Sequence, residues 1–594
     1  MRVSDYIINF LENKGIKNIF TLSGGFCLPL VDSLSKSNID YVCNLHEQSS
    51  AICAEAYGQY TGLPGVCLVT AGPGGTNTIT GVVSAWLDSI PMIVLSGQVQ
   101  SRDLRGKRKV RQIGFQEVDF IPMVSSITKY ATTVKKSEDI RCIMEAAWHE
   151  ATTGRKGPVW IDVPLDIQSA QVDISQLRSF KPTNEDANDP KLLSNKVKKF
   201  YNLLNESKRP IVLAGNGIRL SGAEQKFIDL VEKLNIPVLT TWKAMDFLDE
   251  NHPLYVGRPG IIGQRGANFS QQNSDLLISI GARLDYGQTA FNHNNFAKKA
   301  KKVIIDIDQS EIDKMQFEVD CAINFDAGSF IDEALDKSSE SSGDFSNWLD
   351  TCKNWHVKYP VILEEYWQQK DKVNNYVIVD VLSQLMNSDD LLIPGSSGAC
   401  SEVTMQAFKV KKGIRIFNSE GLGSMGFGVP AAIGGCIASN KKRTICIDGD
   451  GGFIMNVQEL ETAKRLNLPI KYFILNNGGY VSIRNSQDKH FDRYAASSEN
   501  SGVTIPDIEK IAFSYGIKYH KIESHDNILS NVQNILEEEG PVVCEVMMLH
   551  THQSLPRSSS YKQEDGTFVS LPMEDMLPLL DRKEFEENMR VSND

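Results

Sequence analysis

Short runs of apolar and β-branched residues alternate with helix-period patterns along almost the whole chain. Strands are predicted at 18–22, 66–70, 92–96, 158–163, 210–214, 276–280, 302–307, 444–447, 471–475 and 542–546. Each run leads into a Gly- or Ser-rich turn or a helical pattern, as in parallel sheets covered by helices on both faces. Two polar, turn-rich stretches interrupt the alternation. One spans about 169–195 and contains FKPTNEDANDPK; the other spans about 336–359 and opens with DKSSESSGD. Read as linkers, they leave domains at 1–170, 196–335 and 372–550 and a tail at 551–594. The expected fold class is α/β, with three doubly wound parallel-sheet domains. The tail, rich in Ser, Pro and Glu around LPMEDMLPLL, is expected to wrap over the body or cover an active site.

Composition narrows the partners. The net charge of −12 argues against nucleic acid. The basic stretch 102–111 (RDLRGKRKVR) reads first as a solvated loop and second as an anion-attracting entrance. Eleven scattered cysteines without a C-x-x-C pair fit buried free thiols in a reducing cytoplasm better than disulfides or a zinc site. The start, MRVSDYIINFLENKG, has the pattern of an amphipathic helix and not of a signal peptide. No stretch approaches the roughly 18 apolar residues of a membrane span. The expectation is a cytoplasmic protein.

The richest motif lies in the third domain. The strand TICI leads into Asp448-Gly449-Asp450-Gly451-Gly452-Phe453, then a helix (NVQELETAKRL), then the strand IKYFIL ending in Asn476-Asn477-Gly478-Gly479-Tyr480. Gly451 and Asn476 are separated by 24 residues. Two polar clusters thus fall at the carboxyl ends of parallel strands joined by one helix, where open α/β sheets bind ligands. Glycines admit close backbone approach, and the helix start favours anions. An Asp carboxylate, an Asn amide oxygen and a nearby carbonyl suit Mg²⁺. A metal–diphosphate ligand is expected. GDG alone would be a common turn; the full spacing makes the site reading the stronger one.

This pattern resembles the thiamine-diphosphate enzymes, in particular the acetohydroxyacid synthase and pyruvate decarboxylase superfamily. The resemblance implies a pyrimidine-binding, a middle and a diphosphate-binding domain. It makes Asp450, Asn477 and the main-chain oxygen of Gly479 the metal ligands. Gly449, Gly451, Gly452 and Tyr480 would lie beside the cofactor, as would Gly398, Ala399 and Cys400 in the segment GSSGAC. In GLGSMGFG, Gly423 would hold the 4′-amino group and Met425 would wedge under the cofactor. In the first domain Glu47, within Leu45-His46-Glu47-Gln48, would be the catalytic acid against the pyrimidine N1′. Gly24, Gly25, Gly72 and Asn77 would approach the cofactor, and Phe115 and Gln116 would line the substrate chamber. The same resemblance implies a non-redox FAD in the middle domain, contacted by Arg155, Gly215, Gly217, Gln264, Arg265, Arg283, Asp285 and Asp306. The match there is imperfect, because Tyr286 and Gly287 replace an acid and an Arg.

The implied reaction is decarboxylation of pyruvate or a close 2-oxo acid, with transfer of the acyl unit to a carbonyl acceptor. Two departures bear on the acceptor. Ser486 stands where acetohydroxyacid synthases carry a Trp, and Leu165 in Pro164-Leu165-Asp166 where they carry a Lys. Arg484 is an added cation, open to a phosphate or carboxylate or to a surface salt bridge. Segments such as GFQEVD and NNGGYVSIRNSQ are similar to acetolactate-synthase-like proteins of surface-polysaccharide pathways, which makes a nucleotide-linked keto-deoxy-sugar the expected acceptor. The alternatives are an acetolactate synthase, then a simple decarboxylase or C–C hydrolase, and last a non-catalytic scaffold. A homodimer or homotetramer with the active site at the subunit interface is also implied.

Overall fold

The computed structural model of the protein describes residues 1–182, 189–396, 398–491, 493–563, 565 and 567–590. Part of the first predicted linker (183–188), Ser397 and the last four residues lie outside the described residues.

Three parallel sheets organise the chain. The first contains β1 (Asn18–Leu22), β2 (Asp40–Cys43), β3 (Gly65–Val69), β4 (Met92–Gln98), β5 (Tyr130–Thr133) and β6 (Pro158–Pro164), in the order β2-β1-β3-β4-β6-β5. Its inner strands β3, β4 and β6 are buried at every residue. Helices cover both faces, so these strands read as unbroken apolar runs. The second contains β7 (Pro210–Ala214), β8 (Val238–Thr240), β9 (Leu276–Ile280), β10 (Lys301–Ile305) and β11 (Cys321–Ile323), ordered β11-β10-β9-β7-β8. In the third, β12 (Leu391–Pro394), β13 (Thr444–Gly449), β14 (Ile470–Asn476), β15 (Lys518–Ile522) and β16 (Val542–Met547) run in the order β12-β13-β14-β16-β15. That run repeats β1-β3-β4-β6-β5 of the first sheet, including the exchange of the last two strands.

The described chain forms two compact units. One comprises 1–184, 389–401 and 417–550, and holds the first and third sheets. They share one apolar core, which runs from Phe20 and Trp160 to Tyr472 and Val543. The contact is made by two helices of small residues, Glu47–Thr61 and Gly428–Ala438. A Cβ at Gly434 would stand 2.3 Å from the Cys53 carbonyl oxygen, so only glycine lets the two backbones meet.

The other unit comprises 185–388, 402–416 and 551–594, and holds the second sheet together with the tail. Its helix Arg265–Asn273 (RGANFSQQN) is polar yet buried at every residue. The tail supplies the partners. Arg265 donates to the carbonyls of Met576 (3.2 Å) and Pro578 (2.6 Å), Asn268 to that of Met573 (2.7 Å) and Asn273 to that of Asn588 (3.1 Å). The tail is therefore built into this unit by satisfying buried side chains that would otherwise be costly.

The eleven cysteines are free thiols, and all but Cys43 and Cys142 are buried. Among the described residues no helix is long and apolar enough to cross a membrane.

One buried carboxyl group should govern stability near neutral pH. Asp162, in β6, is 1% exposed and accepts from Ser96 Oγ (2.6 Å), Gln98 Nε2 (3.1 Å) and Thr133 Oγ1 (3.2 Å). Burial outweighs these bonds and pushes its pKa from 3.8 up to about 7. The folded state then holds a proton that the unfolded chain releases. Its contribution is full below about pH 4 and is lost as pH rises through about 7, to the extent of a few kcal/mol. Asp162→Asn should flatten the fall in thermal midpoint between pH 5 and 8; parallel curves for variant and parent would refute this.

Candidate active site

The site is assembled at the carboxyl ends of β13 and β14. These strands pair in parallel, with Thr444 opposite Ile470 and Gly449 opposite Leu475, so Asp450 and Asn477 emerge side by side. Asp450 is 1% exposed. Its Oδ2 accepts the backbone N–H groups of Asn477 (3.2 Å) and Gly479 (3.0 Å), and its Oδ1 accepts that of Gly451 (2.7 Å). Burial pushes its pKa up, against the downward pull of these amides. Gly478 and Gly479 have φ of +72° and +127°, and the loop can wrap the carboxylate only with glycine there.

Most of the predicted diphosphate-side residues converge here. A Cβ at Gly451 would meet the Tyr480 ring at 2.5 Å and the Met425 methyl at 3.2 Å, so these three residues are in contact. Gly398 (φ +56°) begins the helix Gly398–Ala407 and faces Ser482 Oγ. Gly423 (φ +62°) lies against the Ser396 carbonyl. Cys400 is buried on that helix; Ala399 is on it too, but its side chain is outside what is described. Gly449 has open space around its Cα, whereas Gly452 packs on Asp448.

A second cluster forms at the carboxyl ends of β1, β2 and β3. Glu47 opens its helix, which His46 caps by accepting Gln48 N–H on Nδ1. Glu47 is 8% exposed, and its Oε2 accepts from Asn77 Nδ2 at 3.0 Å. Gly72 (φ +65°) lies so close to Gln116 that a Cβ would stand 2.8 Å from its carbonyl oxygen. Gln116 itself has φ +62°, a strained value for a residue with a side chain. Phe115 beside it is 78% exposed. Gly24 packs on Thr70, and Gly25 has open space around it.

Four site residues escaped the sequence reading or were misread. Asp448 is buried, its pKa pushed by burial up to about 7, and its Oδ2 has no hydrogen-bond partner among the described residues. Cβ atoms at Gly395, Gly428 or Gly452 would fall 2.2–2.4 Å from its oxygens, so the glycines on three segments answer to this one carboxyl group. Asn456, the first residue of the predicted helix, instead ends a short helix that already starts at Asp450, donating to the Gly426 carbonyl (2.7 Å) and accepting from Ser49 Oγ (3.1 Å). Glu459, fully buried, accepts from Asn44 Nδ2 (3.0 Å), Leu45 N–H (2.9 Å) and Thr462 Oγ1 (2.7 Å), and so ties the segment before Glu47 to the third sheet. Arg484 was expected to meet a phosphate, a carboxylate or a surface partner. Instead it is 1% exposed and donates to carbonyl oxygens and to Asn477 Oδ1. A signal existed for Glu459 alone, as an acid in an otherwise apolar helix stripe.

The flavin positions are engaged within their own units. Gln264 uses its amide on Arg258 N–H and the Gln406 carbonyl, and Arg265 is held by the tail carbonyls. Gly215 and Gly217 pack against the backbone of Gly281 and Ala282. Asp285 and Asp306 cap their own turns through Gln288 N–H and Asp308 N–H. Arg283 sits in a left-handed turn (φ +59°), and Arg155 donates to Ser89 Oγ. Tyr286, in place of the family's acid, stacks on Phe291 at 5.7 Å. The side chains of Gln264, Arg265, Asp285 and Asp306 thus serve this chain's own turns and tail, an arrangement that does not favour FAD.

Comparison with known proteins agrees with the geometry. Residues 1–123, 197–334 and 396–546 match the N-terminal TPP binding, central and C-terminal TPP binding domains of thiamine pyrophosphate enzymes. The chain is 34% identical over 561 residues to a probable acetolactate synthase large subunit of Methanococcus aeolicus, covering 91% of both chains. It is 31% identical over 558 residues to the acetolactate synthase large subunit of Lactococcus lactis, covering 93% of both. To acetolactate synthase isozyme 1 large subunit of Escherichia coli it is 29% identical, over 91% of this chain and 93% of the other. The chain belongs to the thiamine pyrophosphate enzymes. Within them it is close to the acetolactate synthase large subunits, and it is a thiamine-diphosphate-dependent enzyme of the transferase/lyase type.

The diphosphate side fits that cofactor and its metal. Asp450, Asn477 Oδ1 and the Gly479 carbonyl are a hard-oxygen donor set of the kind Mg²⁺ takes. Two adjacent buried carboxyl groups, one with an orphaned oxygen, favour a cation nearby. The middle unit leads to the opposite expectation for flavin: the purified protein should be colourless, and yellow protein that releases flavin on denaturation would refute it.

Proposed function

We propose that the protein is an acetolactate synthase-type carboligase, acting on pyruvate or a close 2-oxo acid. The observation that carries this reading is the pairing of Asp450 and Asn477 at adjoining strand ends, in a chain similar to acetolactate synthases over more than nine-tenths of its length. Bound thiamine diphosphate supplies the electron sink for loss of CO₂ and for joining the acyl unit to an acceptor carbonyl.

The remaining roles fall to the chain's own residues. Asp450, Asn477 and the Gly479 carbonyl would hold Mg²⁺ and, through it, the diphosphate. Gly449, with open space around its Cα, would let the diphosphate approach beside Gly398 and Gly451, and Met425 and the Gly423 carbonyl would fix the cofactor's bend. Glu47 would hold a proton at the pyrimidine N1′, with its Oε2 fixed by Asn77. Phe115 and Gln116 would line the substrate chamber. In this reading domain 1–170 binds the pyrimidine and domain 372–550 the diphosphate. Phe115, bare at 78% in one chain, would be covered by a second copy in a homodimer or homotetramer.

A second reading keeps the same donor but transfers the acyl unit to a nucleotide-linked keto-sugar. It is favoured by Leu165 and Ser486, where the synthases carry Lys and Trp. Leu165 is half-buried after β6, and Ser486 is exposed on the helix Val481–His490.

Product analysis separates the readings. With pyruvate, thiamine diphosphate and Mg²⁺, acetolactate should accumulate. Turnover seen only when a nucleotide keto-sugar is added would select the second reading, and free acetaldehyde alone would sink both. For the acid, Glu47→Gln should still bind cofactor in calorimetry but lose proton exchange at the thiazolium C2 by about 100-fold or more, the scale of a positioned acid–base group. Exchange at the parent rate would remove Glu47 from the role.

A further inference from the structure

We infer that Arg484 is a positioning residue for the metal ligand Asn477; the inference rests on the metal-site reading above. Arg484 lies in the first turn of the helix Val481–His490 and turns its guanidinium inward. Nη2 donates to Asn477 Oδ1 (2.7 Å), to the Asn477 carbonyl (3.0 Å) and to the His550 carbonyl (2.7 Å). Nε donates to the same His550 carbonyl (3.1 Å), and Nη1 to the carbonyls of Ser497 (2.9 Å) and Gly478 (3.5 Å). One planar fork thus gathers the loop after β14, the loop around Ser497 and the segment that follows β16.

Two consequences follow for the metal ligands. An Arg N–H can only donate, so its bond to Asn477 decides which end of the amide faces it. The oxygen is turned to the fork, and its second lone pair stays free for a cation. The other consequence concerns Gly479. Its neighbour Tyr480 donates its N–H to the Ser497 carbonyl (2.9 Å), the same oxygen that Arg484 holds. A Cβ at Gly479 would stand 3.2 Å from Arg484 Nη1 and 2.6 Å from that oxygen. The carbonyl proposed as third ligand is therefore placed by the same clamp.

A cation beside a cation site also repels, so sign separates positioning from competition. Orienting partners of metal ligands are worth about 10–100-fold in metal affinity. If Arg484 positions, Arg484→Met should weaken Mg²⁺ binding by about that factor. Arg484→Lys, which keeps the charge but not the fork, should lose nearly as much. If Arg484 merely competes, Met should bind Mg²⁺ more tightly and Lys should match the parent.

The experiment is calorimetric titration of Mg²⁺ into the full-length protein with saturating thiamine diphosphate. Mn²⁺ binding read by its paramagnetic resonance signal serves as a second probe, and far-UV circular dichroism monitors folding. At least tenfold weaker binding in both variants supports the clamp; unchanged or tighter binding in either overturns it. Should Arg484→Met not fold, Arg484→Lys alone decides on the same thresholds. A parent protein that takes up neither metal nor cofactor refutes the metal site itself, an outcome distinct from failure of the clamp.

Discussion

The structure turns on a carboxylate held out of water at the end of a strand. Asp450 would be costly to bury alone, and the chain offsets that cost with backbone N–H groups from both adjoining strand ends. That solution dictates much of the local sequence. The loop must fold back over the carboxylate, which calls for Gly478 and Gly479 at positive φ. The neighbouring Asp448 must be housed as well, which calls for glycine at 395, 428 and 452. The Gly-rich character of three separated segments is thus one requirement seen three times. With two acidic groups buried together, added positive charge stabilises the site, and a bound divalent cation meets that need.

The two clusters are fixed to each other by packing and not by a flexible linker. Helices Glu47–Thr61 and Gly428–Ala438 cross with backbone in contact at Gly434 and Cys53, and one apolar core runs under both sheets. Glu459 and Asn456 pin the segments on either side of Glu47 to the third sheet. A Cβ at Gly434 or loss of the Glu459 carboxylate would move Glu47 without touching it. Close-packed interiors transmit such shifts instead of absorbing them.

What could be read from the sequence followed from how many residues carried each signal. Inner strands such as β3, β4 and β14 are buried on both faces and announce themselves as apolar runs. The edge strands β2 and β5 are short and partly exposed, and they were missed. GDG and NN were legible because spacing, glycines and flanking strands all agreed. Arg484 was not: its partners are main-chain oxygens brought together by folding, and no side-chain pattern marks them. The flavin expectation finds no support for a related reason. Gln264 and Arg265 have the right types in the right segment, but the tail, more than 300 residues away in sequence, takes up Arg265.

The fate of Arg484 also bears on what the enzyme accepts. Relative to the synthases, this chain lacks a Lys at 165 and an aromatic ring at 486. A newly gained arginine nearby would be the natural replacement cation for an acceptor carboxylate. Arg484 cannot fill that role, because its donors are committed to buried oxygens and freeing them would strand the Asn477 side chain and four carbonyls. Exposed positive charge does lie on the first unit in the stretch of Lys107, Arg108, Lys109 and Arg111. That loop is joined to the Gln116 segment through Gln112, whose side chain donates to the Glu117 carbonyl at 3.1 Å. Charge of this kind attracts anions at a distance but does not grip one carboxylate in fixed geometry. Attraction of that kind would serve the charged diphosphate of a nucleotide-linked acceptor under the second reading above. Under the leading reading the acceptor would be a second 2-oxo acid, and it would meet the Phe115–Gln116 segment, whose backbone is strained and close to Gly72.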